Sequence, residues 1–348
     1  MKRKTKRWLL VLLLSGPLLL GLLTAAYFCW ERPPQWRDES EEAAVTEAPL
    51  LPPHEEAAPT GVRGRRPGVY TLLLAGSDDG NGNTDTLLLC CLDTAAHSLN
   101  VVSLPRDTLL NIDWNIRKLN AVYAGEINSG GVGLDRLRRE LRKLTGFSVD
   151  GCAVVDLRVF MEAVDKVGGV DFEVPQDMDY DDSAQDLHIH LRAGRQRLDG
   201  AGAMQLVRFR AGYVNGDLDR LAVQQHFLKE ALRQMIQLGT VPRLPELVTL
   251  LAERSDTDLS AANVAWLIRQ TLQCRSEDLH FYTLPTRSET IHALSYAVVE
   301  LDDWLSLLNE RFNPYFQSIG PENLDLIYMD SGSLRATTGT LLGDWYYR

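Results

Sequence analysis

The 348-residue chain holds 36 lysines and arginines against 47 aspartates and glutamates, for a formal net charge of −11. That balance argues against nucleic acid as a partner, because such binding rests on bulk positive charge. Five cysteines (29, 90, 91, 152 and 274) show no metal-ligand spacing and read mainly as small buried hydrophobes, with a Cys152 bridge to Cys90 or Cys91 as the alternative.

Residues 1–7 carry Lys2, Arg3, Lys4, Lys6 and Arg7 and no acid, and residues 8–30 contain no charged side chain. At about 1.5 Å per residue the apolar run is long enough to cross a bilayer core of roughly 30 Å. The flanking basic cluster predicts a cytoplasmic N-terminus, and Trp8 and Trp30 suit the two interfaces. A cleaved signal peptide would have a shorter apolar core. A lipoprotein signal ending at Cys29 is disfavoured by the bulky Tyr27 and Phe28. Residues 31–66, rich in acids and prolines, predict a disordered stalk. The globular part, expected over 67–315, is then extracellular, and every acid of the chain lies beyond the anchor.

Val69 to Ala75, Thr86 to Leu92 and Leu99 to Leu104 read as buried strands, the first two joined by a loop of glycine, asparagine and aspartate over 76–85. Leu134, Leu137, Leu141 and Leu144 recur at helical spacing. A strand over 149–155, a helix from Leu157 to Val164 closed by Gly168-Gly169, and a strand over 170–174 follow. Acidic 177–186 reads as an exposed loop. His188 and His190 alternate on a strand-like stretch and so share a face; with no third ligand in view they read as surface residues, a metal site being the minor alternative. Asp199 suits the cap of a helix through Val207, and further helices are expected over 218–238, 244–253, 260–273 and 301–311. Strands alternating with helices predict an α/β fold, a sheet covered on both faces.

The chemistry concentrates in two blocks. Ser103-Leu104-Pro105-Arg106-Asp107 ends the third strand, and Arg208, Arg210, Asp217, Arg220 and Gln224 lie about a hundred residues later. Arginine offers a planar fork of donors that matches phosphate. Arg220 and Gln224 share a helix face at i and i+4, whereas Arg208 and Arg210 would share a face on an extended segment. Asp78 and Asp85, in and just after the glycine-rich loop, are hard oxygen donors of the kind phosphate-bound Mg²⁺ takes. Each residue alone also fits a bland role, the arginines as solvated charges and the aspartates as turn caps.

The ordered set of motifs resembles the LytR-CpsA-Psr family of membrane-anchored wall-polymer transferases. Leu72 to Asp78, Thr84-Asp85-Thr86, Ser103 to Thr108, Lys118-Leu119-Asn120-Ala121-Val122-Tyr123, Val167 to Val170, Leu198-Asp199-Gly200 and the closing arginine block carry the resemblance over about 69–230. Tyr282-Thr283-Leu284-Pro285 extends it toward about 310. Two departures touch the substrate side: Asn83 and Thr84 precede Asp85 where the family usually has an arginine, and Val223 stands where arginine is common. Residues 316–348 have no counterpart and are expected to be a C-terminal extension.

The resemblance implies a central mixed β-sheet sandwiched by helices. It implies transfer of a phosphate-linked glycopolymer from a polyprenyl-pyrophosphate carrier to a peptidoglycan hydroxyl. In that scheme Asp78 and Asp85 hold Mg²⁺, while Arg106, Lys118, Arg208, Arg210, Arg220 and Gln224 grip the pyrophosphate. Asp107 is either the base for the acceptor or an orienting partner of Arg106. Non-catalytic binding of lipid-linked precursors, wall-stress sensing and simple pyrophosphatase activity are the competing readings.

Overall fold

The computed structural model describes residues 31–35, 64–77, 82–183, 187–213, 217–238, 241 and 243–342. The expected anchor at 8–30 lies outside them, and among the described residues no helix is long and apolar enough to cross a membrane. The centre is a six-stranded mixed sheet in the order β10-β3-β2-β1-β4-β9. Its strands are β1 (Val69–Ser77), β2 (Thr84–Asp93), β3 (Ser98–Ser103), β4 (Gly151–Asp156), β9 (Asp256–Thr257) and β10 (Leu279–Thr283). β1 runs antiparallel to β2 and parallel to β4, and β10 runs parallel to β3.

Period-2 alternation sorts the apolar side chains of these strands onto two faces. Leu73, Leu89, Cys91 and Val102 join one core with Leu137, Leu141 and Leu144 of α2 (Gly133–Thr145) and Trp304 of α8 (Leu301–Leu307). Leu72, Cys90, Leu92 and Val101 join a second core with Val264, Ala265 and Leu267 of α7 (Ala261–Leu272). α5 (Asp217–Leu238) and α6 (Leu244–Arg254) close over that second face through Leu232 and Val248. The adjacent cysteines therefore point to opposite faces, and Cys90, Cys91, Cys152 and Cys274 are buried free thiols rather than a bridge. Burial pushes the Cys90 and Cys91 thiols up to about 12.

Helix boundaries follow local chemistry. Asp156 caps α3 (Leu157–Val167) by accepting from Val159 N at 2.7 Å, and Gly168 ends it with φ 94°. Asp199 caps α4 (Gly200–Arg208) through Gly202 N at 2.8 Å. α1 (Val122–Asn128) follows the short 3₁₀ turn at Leu119–Ala121.

Three expectations are corrected. The acidic stretch after Asp177 is a strand, β6 (Met178–Asp182), paired with β7 (Leu187–Leu191); its carboxylates crowd the solvent face while Met178 is buried, which hides the alternation from composition. The presumed C-terminal extension continues the domain. β13 (Ile327–Asp330) and β14 (Ser333–Ala336) complete a second sheet with β11 (Thr286–Ile291) and β12 (Leu294–Val299), and Leu324, Leu326 and Ile327 are buried. The presumed stalk is ordered at both ends, because its charges find partners. Glu31 accepts two bonds from Arg269 at 2.6 and 2.9 Å, and Arg65 ion-pairs with buried Asp150. β5 (Val170–Val174) pairs with β8 (Gly194–Leu198), and together with the β6–β7 hairpin and α4 they bury a third apolar cluster around Phe172, Ile189 and Leu206.

Candidate phosphate-binding site

The site is built at the end of β1 and β2 by a register slip. Gly76 pairs with Thr86, but Ser77 pairs with Thr84, leaving Asp85 as the extra residue of a β-bulge. Bulges of this kind re-aim a side chain out of the ladder. Thr84 is buried and its hydroxyl donates to Asn120 O at 3.4 Å, which steadies the bulged strand against the Lys118–Tyr123 segment.

Three arginines meet the re-aimed carboxylate. Arg106 Nη1 donates to Asp85 Oδ1 at 3.0 Å, Arg210 Nη2 donates to Oδ2 at 2.6 Å, and Arg220 Nη1 lies 3.7 Å from Oδ2. Arg106 is delivered by the turn after β3: Leu104 N donates to Leu87 O at 2.9 Å, and Thr108 donates through both its amide and its hydroxyl to Pro105 O at 3.0 and 2.6 Å. Arg220 comes from the first turns of α5 with its side chain 4% exposed, so its charge sits where the dielectric is low and pairing matters most. Arg210 is the open member at 51% exposure. Three guanidinium groups gathered on one carboxylate present the forks of donors that suit an oxyanion.

Arg208 and Arg210 do not lie on one extended face. Arg208 is the last residue of α4, and Phe209, buried and extended at the C-cap, turns the chain before Arg210. Gln224 accepts from the Thr86 hydroxyl at 3.4 Å and donates to Val207 O at 2.9 Å, tying α5 to β2 and to the end of α4. Asp107 pairs with Lys118 at 2.9 Å, whereas Arg106 is held by Asp85. Lys118 Nζ also lies 5.5 Å from the centroid of the Tyr296 ring, within cation–π range. Asp78 lies outside the described residues.

Gln225 positions the site with no strong sequence signal, whereas Tyr123 belongs to the Lys118–Tyr123 motif. Gln225 Nε2 donates to Ser103 Oγ, Tyr282 O and Thr283 Oγ1 at 2.8–3.0 Å, fastening α5 across the ends of β3 and β10. Tyr123 donates its hydroxyl to Asp256 Oδ2 at 2.7 Å, and burial together with that carboxylate pushes its phenol well above the usual range. On the α5 face, half-buried Leu74, Leu88, Leu232, Ile236 and Phe281 pack against the core between sheet and helices.

A carboxylate is the kind of oxygen donor a hard cation takes, and the Asp85 side chain is 26% exposed, but both of its oxygens accept from arginines, which an ion would have to displace.

Known proteins share this arrangement of chain. The chain is 30% identical over 199 residues to the cell wall biosynthesis protein LcpA of Corynebacterium glutamicum, covering 51% of this chain and 38% of that protein, so less than half of the relative's length is matched. It is 24% identical over 250 residues to the polyisoprenyl-teichoic acid–peptidoglycan teichoic acid transferase TagU of Oceanobacillus iheyensis, covering 71% of this chain and 76% of that one. The fold superposes on TagT of B. subtilis bound to LI-WTA with a TM-score of 0.58 at 18% identity, over 70% of this chain and 89% of that one. The sequence pattern of the LytR_cpsA_psr family runs through residues 44–312, which takes in the bulge at Asp85, the turn at Arg106 and the arginine block on α4 and α5; the chain belongs to that family.

Proposed function

We propose that the protein transfers a phosphate-linked glycopolymer from a polyprenyl-pyrophosphate carrier to a sugar hydroxyl of peptidoglycan. The observation that carries this reading is the convergence of Arg106, Arg210 and Arg220 on the single bulged carboxylate of Asp85. Phosphoryl transfer depends on placing charge around the phosphate and on in-line alignment, more than on covalent help from the protein. The naming of TagU as a polyisoprenyl-teichoic acid–peptidoglycan transferase supports the same substrate class.

In this reading the guanidinium groups of Arg106, Arg210 and Arg220 turn from Asp85 to the pyrophosphate oxygens when substrate arrives. Arg208, at the end of α4, and Lys118 add positive charge at the rim, and Gln224 fixes α5 so that Arg220 keeps its aim. Asp107 holds Lys118 in place. Asp78 and Asp85 would hold Mg²⁺, which when bound supplies further neutralisation of the phosphate oxygens. The acceptor hydroxyl oxygen forms a bond to the glycan-side phosphorus, and the bridging P–O bond to the carrier breaks. Polyprenyl phosphate leaves with the bonding electrons, and the hydroxyl proton is released to solvent. The half-buried apolar space lined by Leu74, Leu88, Leu232, Ile236 and Phe281 accommodates the prenyl tail. Leu137, Leu141 and Leu144, fully buried on the other face, serve core packing. The protein is anchored by residues 8–30 with the domain outside the cell.

The test uses the full chain in detergent with a short-chain polyprenyl-pyrophosphate glycan, Mg²⁺ and peptidoglycan oligomers. Release of polyprenyl phosphate is measured with and without acceptor. Acceptor-dependent release abolished by chelator is the expected result. Equal release without acceptor would mark a pyrophosphatase, and tight binding without release would mark a non-catalytic module; either would overturn the proposal.

A further inference from the structure

The β6–β7 hairpin carries a second constellation away from the arginines. Met178, Leu187, Ile189 and Leu191 of its inner row are buried, and Asp179, Asp181, His188 and His190 of the opposite row are exposed. On that outer row Asp179 stands opposite His190 and Asp181 opposite His188 in the strand register. Alternation on each strand puts all four on one face.

The contacts among them are specific. His190 Nδ1 lies 2.7 Å from Asp179 Oδ1, His188 Nδ1 lies 2.5 Å from Asp181 Oδ1, and His190 Nε2 lies 3.4 Å from the same Asp181 oxygen. When Asp179 accepts the Nδ1 proton of His190, Nε2 is left as a bare lone pair facing a carboxylate oxygen. On neutral His190 two acceptors then face each other, a juxtaposition that a second proton on Nε2 or a metal ion between them relieves. A carboxylate on the far nitrogen is also the usual outer partner of a metal-bound histidine, fixing its tautomer and ring plane. The 3.4 Å spacing fits as well. Donors on a tetrahedral ion with bonds of about 2.0–2.1 Å are separated by roughly 3.3 Å. One donor atom each from Asp181, His188 and His190 lies within 4.8 Å of the others.

We propose that Asp181, His188 and His190 form a surface site for a borderline divalent transition ion of the zinc class, with water in the fourth position and Asp179 orienting His190. Two imidazole nitrogens favour such an ion over Mg²⁺ or Ca²⁺, which prefer all-oxygen sets. Loading opens the short His188–Asp181 contact and replaces it with two bonds to the ion. The consequence is mechanical. Among the described residues β6 and β7 form a sheet of two strands, and a metal bridge between them adds a cross-strand tie. The tie acts on the frame of α4, because His190 N donates to Gln205 Oε1 at 2.8 Å on the helix that ends at Arg208.

The experiment is zinc titration of the untagged full chain at neutral pH in excess Mg²⁺, by calorimetry and by metal analysis after dialysis. Co²⁺ absorption serves as a report on nitrogen ligands. One zinc per chain is expected. His188→Ala and His190→Ala should each weaken binding at least about tenfold, and Asp179→Asn about 10- to 100-fold as an outer partner. All these side chains are exposed, so the metal-free variants should melt with the wild type. Asp85→Asn should keep the zinc. Failure of the wild type to bind, undiminished binding in the double histidine variant, or loss in Asp85→Asn would overturn the proposal.

Discussion

Arg210 reaches 125 residues back along the chain to donate to Asp85 at 2.6 Å, from a side chain half open to solvent. An exposed arginine gains little from a surface ion pair alone. Its pairing here gains meaning from Arg106, which holds the other oxygen of the same carboxylate, and from buried Arg220 behind it. In the proposed function Asp85 thus holds the place of the anionic substrate.

That relationship predicts the behaviour of Asp85→Asn. Removing the negative charge eliminates the competitor for the three guanidinium groups, so the pyrophosphate substrate should bind at least as tightly as to the wild type. Turnover should nevertheless fall by about 10²- to 10³-fold, the scale for losing one preorganised charge contact. Single-turnover kinetics and direct binding separate the two effects. Wild-type turnover in the variant would remove Asp85 from the proposed site.

The arginines should rank by burial. Arg220→Ala removes a charge held at 4% exposure, and Arg210→Ala one at 51%. The first should cost about 10²- to 10³-fold in kcat/KM, and the second less, since water can replace part of an exposed donor's work. Arg220→Lys should not restore the loss, because an ammonium lacks the planar fork. An Arg210 variant more damaged than the Arg220 variant would reverse this assignment.

Much of the frame was legible before the coordinates. β1, β2 and β3, with their runs of Leu, Val and Cys, and the α2 stripe of Leu134, Leu137, Leu141 and Leu144 announce themselves by period. The arginine blocks stood out by residue type, and three of the four arginines do meet at Asp85. The bulge that aims Asp85 was not legible, because a one-residue slip depends on pairing between strands and leaves no local pattern. The pairing of Asp107 with Lys118 was not legible for a similar reason: Lys118 is brought to it by the return of the chain, Leu119 N donating to Thr108 O at 3.1 Å. β6 was obscured by its acids, and β13 and β14 by their brevity.

The C-terminal strands should be indispensable for folding. Leu324, Leu326 and Ile327 are buried at 0–3% exposure, and Asn111 Nδ2 donates to Asp325 Oδ1 at 2.7 Å and Thr340 O at 3.0 Å. Each lost large apolar side chain removes about 1.5–3 kcal/mol of burial, and a domain holds only about 5–15 kcal/mol in total. A chain stopped after Tyr315 should therefore lack a cooperative thermal transition in circular dichroism. A truncated chain that melts like the wild type would restore the reading of 316–348 as an appendage.

Arg65 and Asp150 predict a pH-dependent mutant. Asp150 accepts from Thr71 N at 2.7 Å and pairs with Arg65, yet burial outweighs these partners and pushes its carboxyl up to about 6. The folded state therefore holds a proton that the unfolded chain has released, and this group's contribution to stability falls as pH rises from the ordinary carboxyl range to about 6. Arg65→Ala removes the cation that pulls the value down, so the carboxyl should move higher still. The cost should be about 3–5 kcal/mol near pH 8, where a buried carboxylate loses its partner, and smaller near pH 5, where it is protonated. Urea unfolding at the two pH values measures the difference, and equal costs would show that Asp150 is not the group responsible.

Cys90 and Cys91 supply an alkaline counterpart. Their thiols, raised by burial to about 12, stay protonated in the fold, whereas unfolded thiols ionise near 9. The unfolded chain then binds fewer protons, so their contribution to stability is intact below about 9 and declines as pH climbs toward 12. Each thiol tilts the stability profile by about 1.4 kcal/mol per pH unit in that window. Two observations follow. At mildly alkaline pH, labelling of both thiols should proceed at the rate of protein opening, because the thiolate is the nucleophile and the folded site withholds it. Cys90→Ala should flatten the alkaline loss of stability relative to the wild type, at some cost in overall stability from the lost sulfur contacts. Rapid labelling of Cys90 or Cys91 in the fully folded protein would contradict both the burial and the direction of the shift.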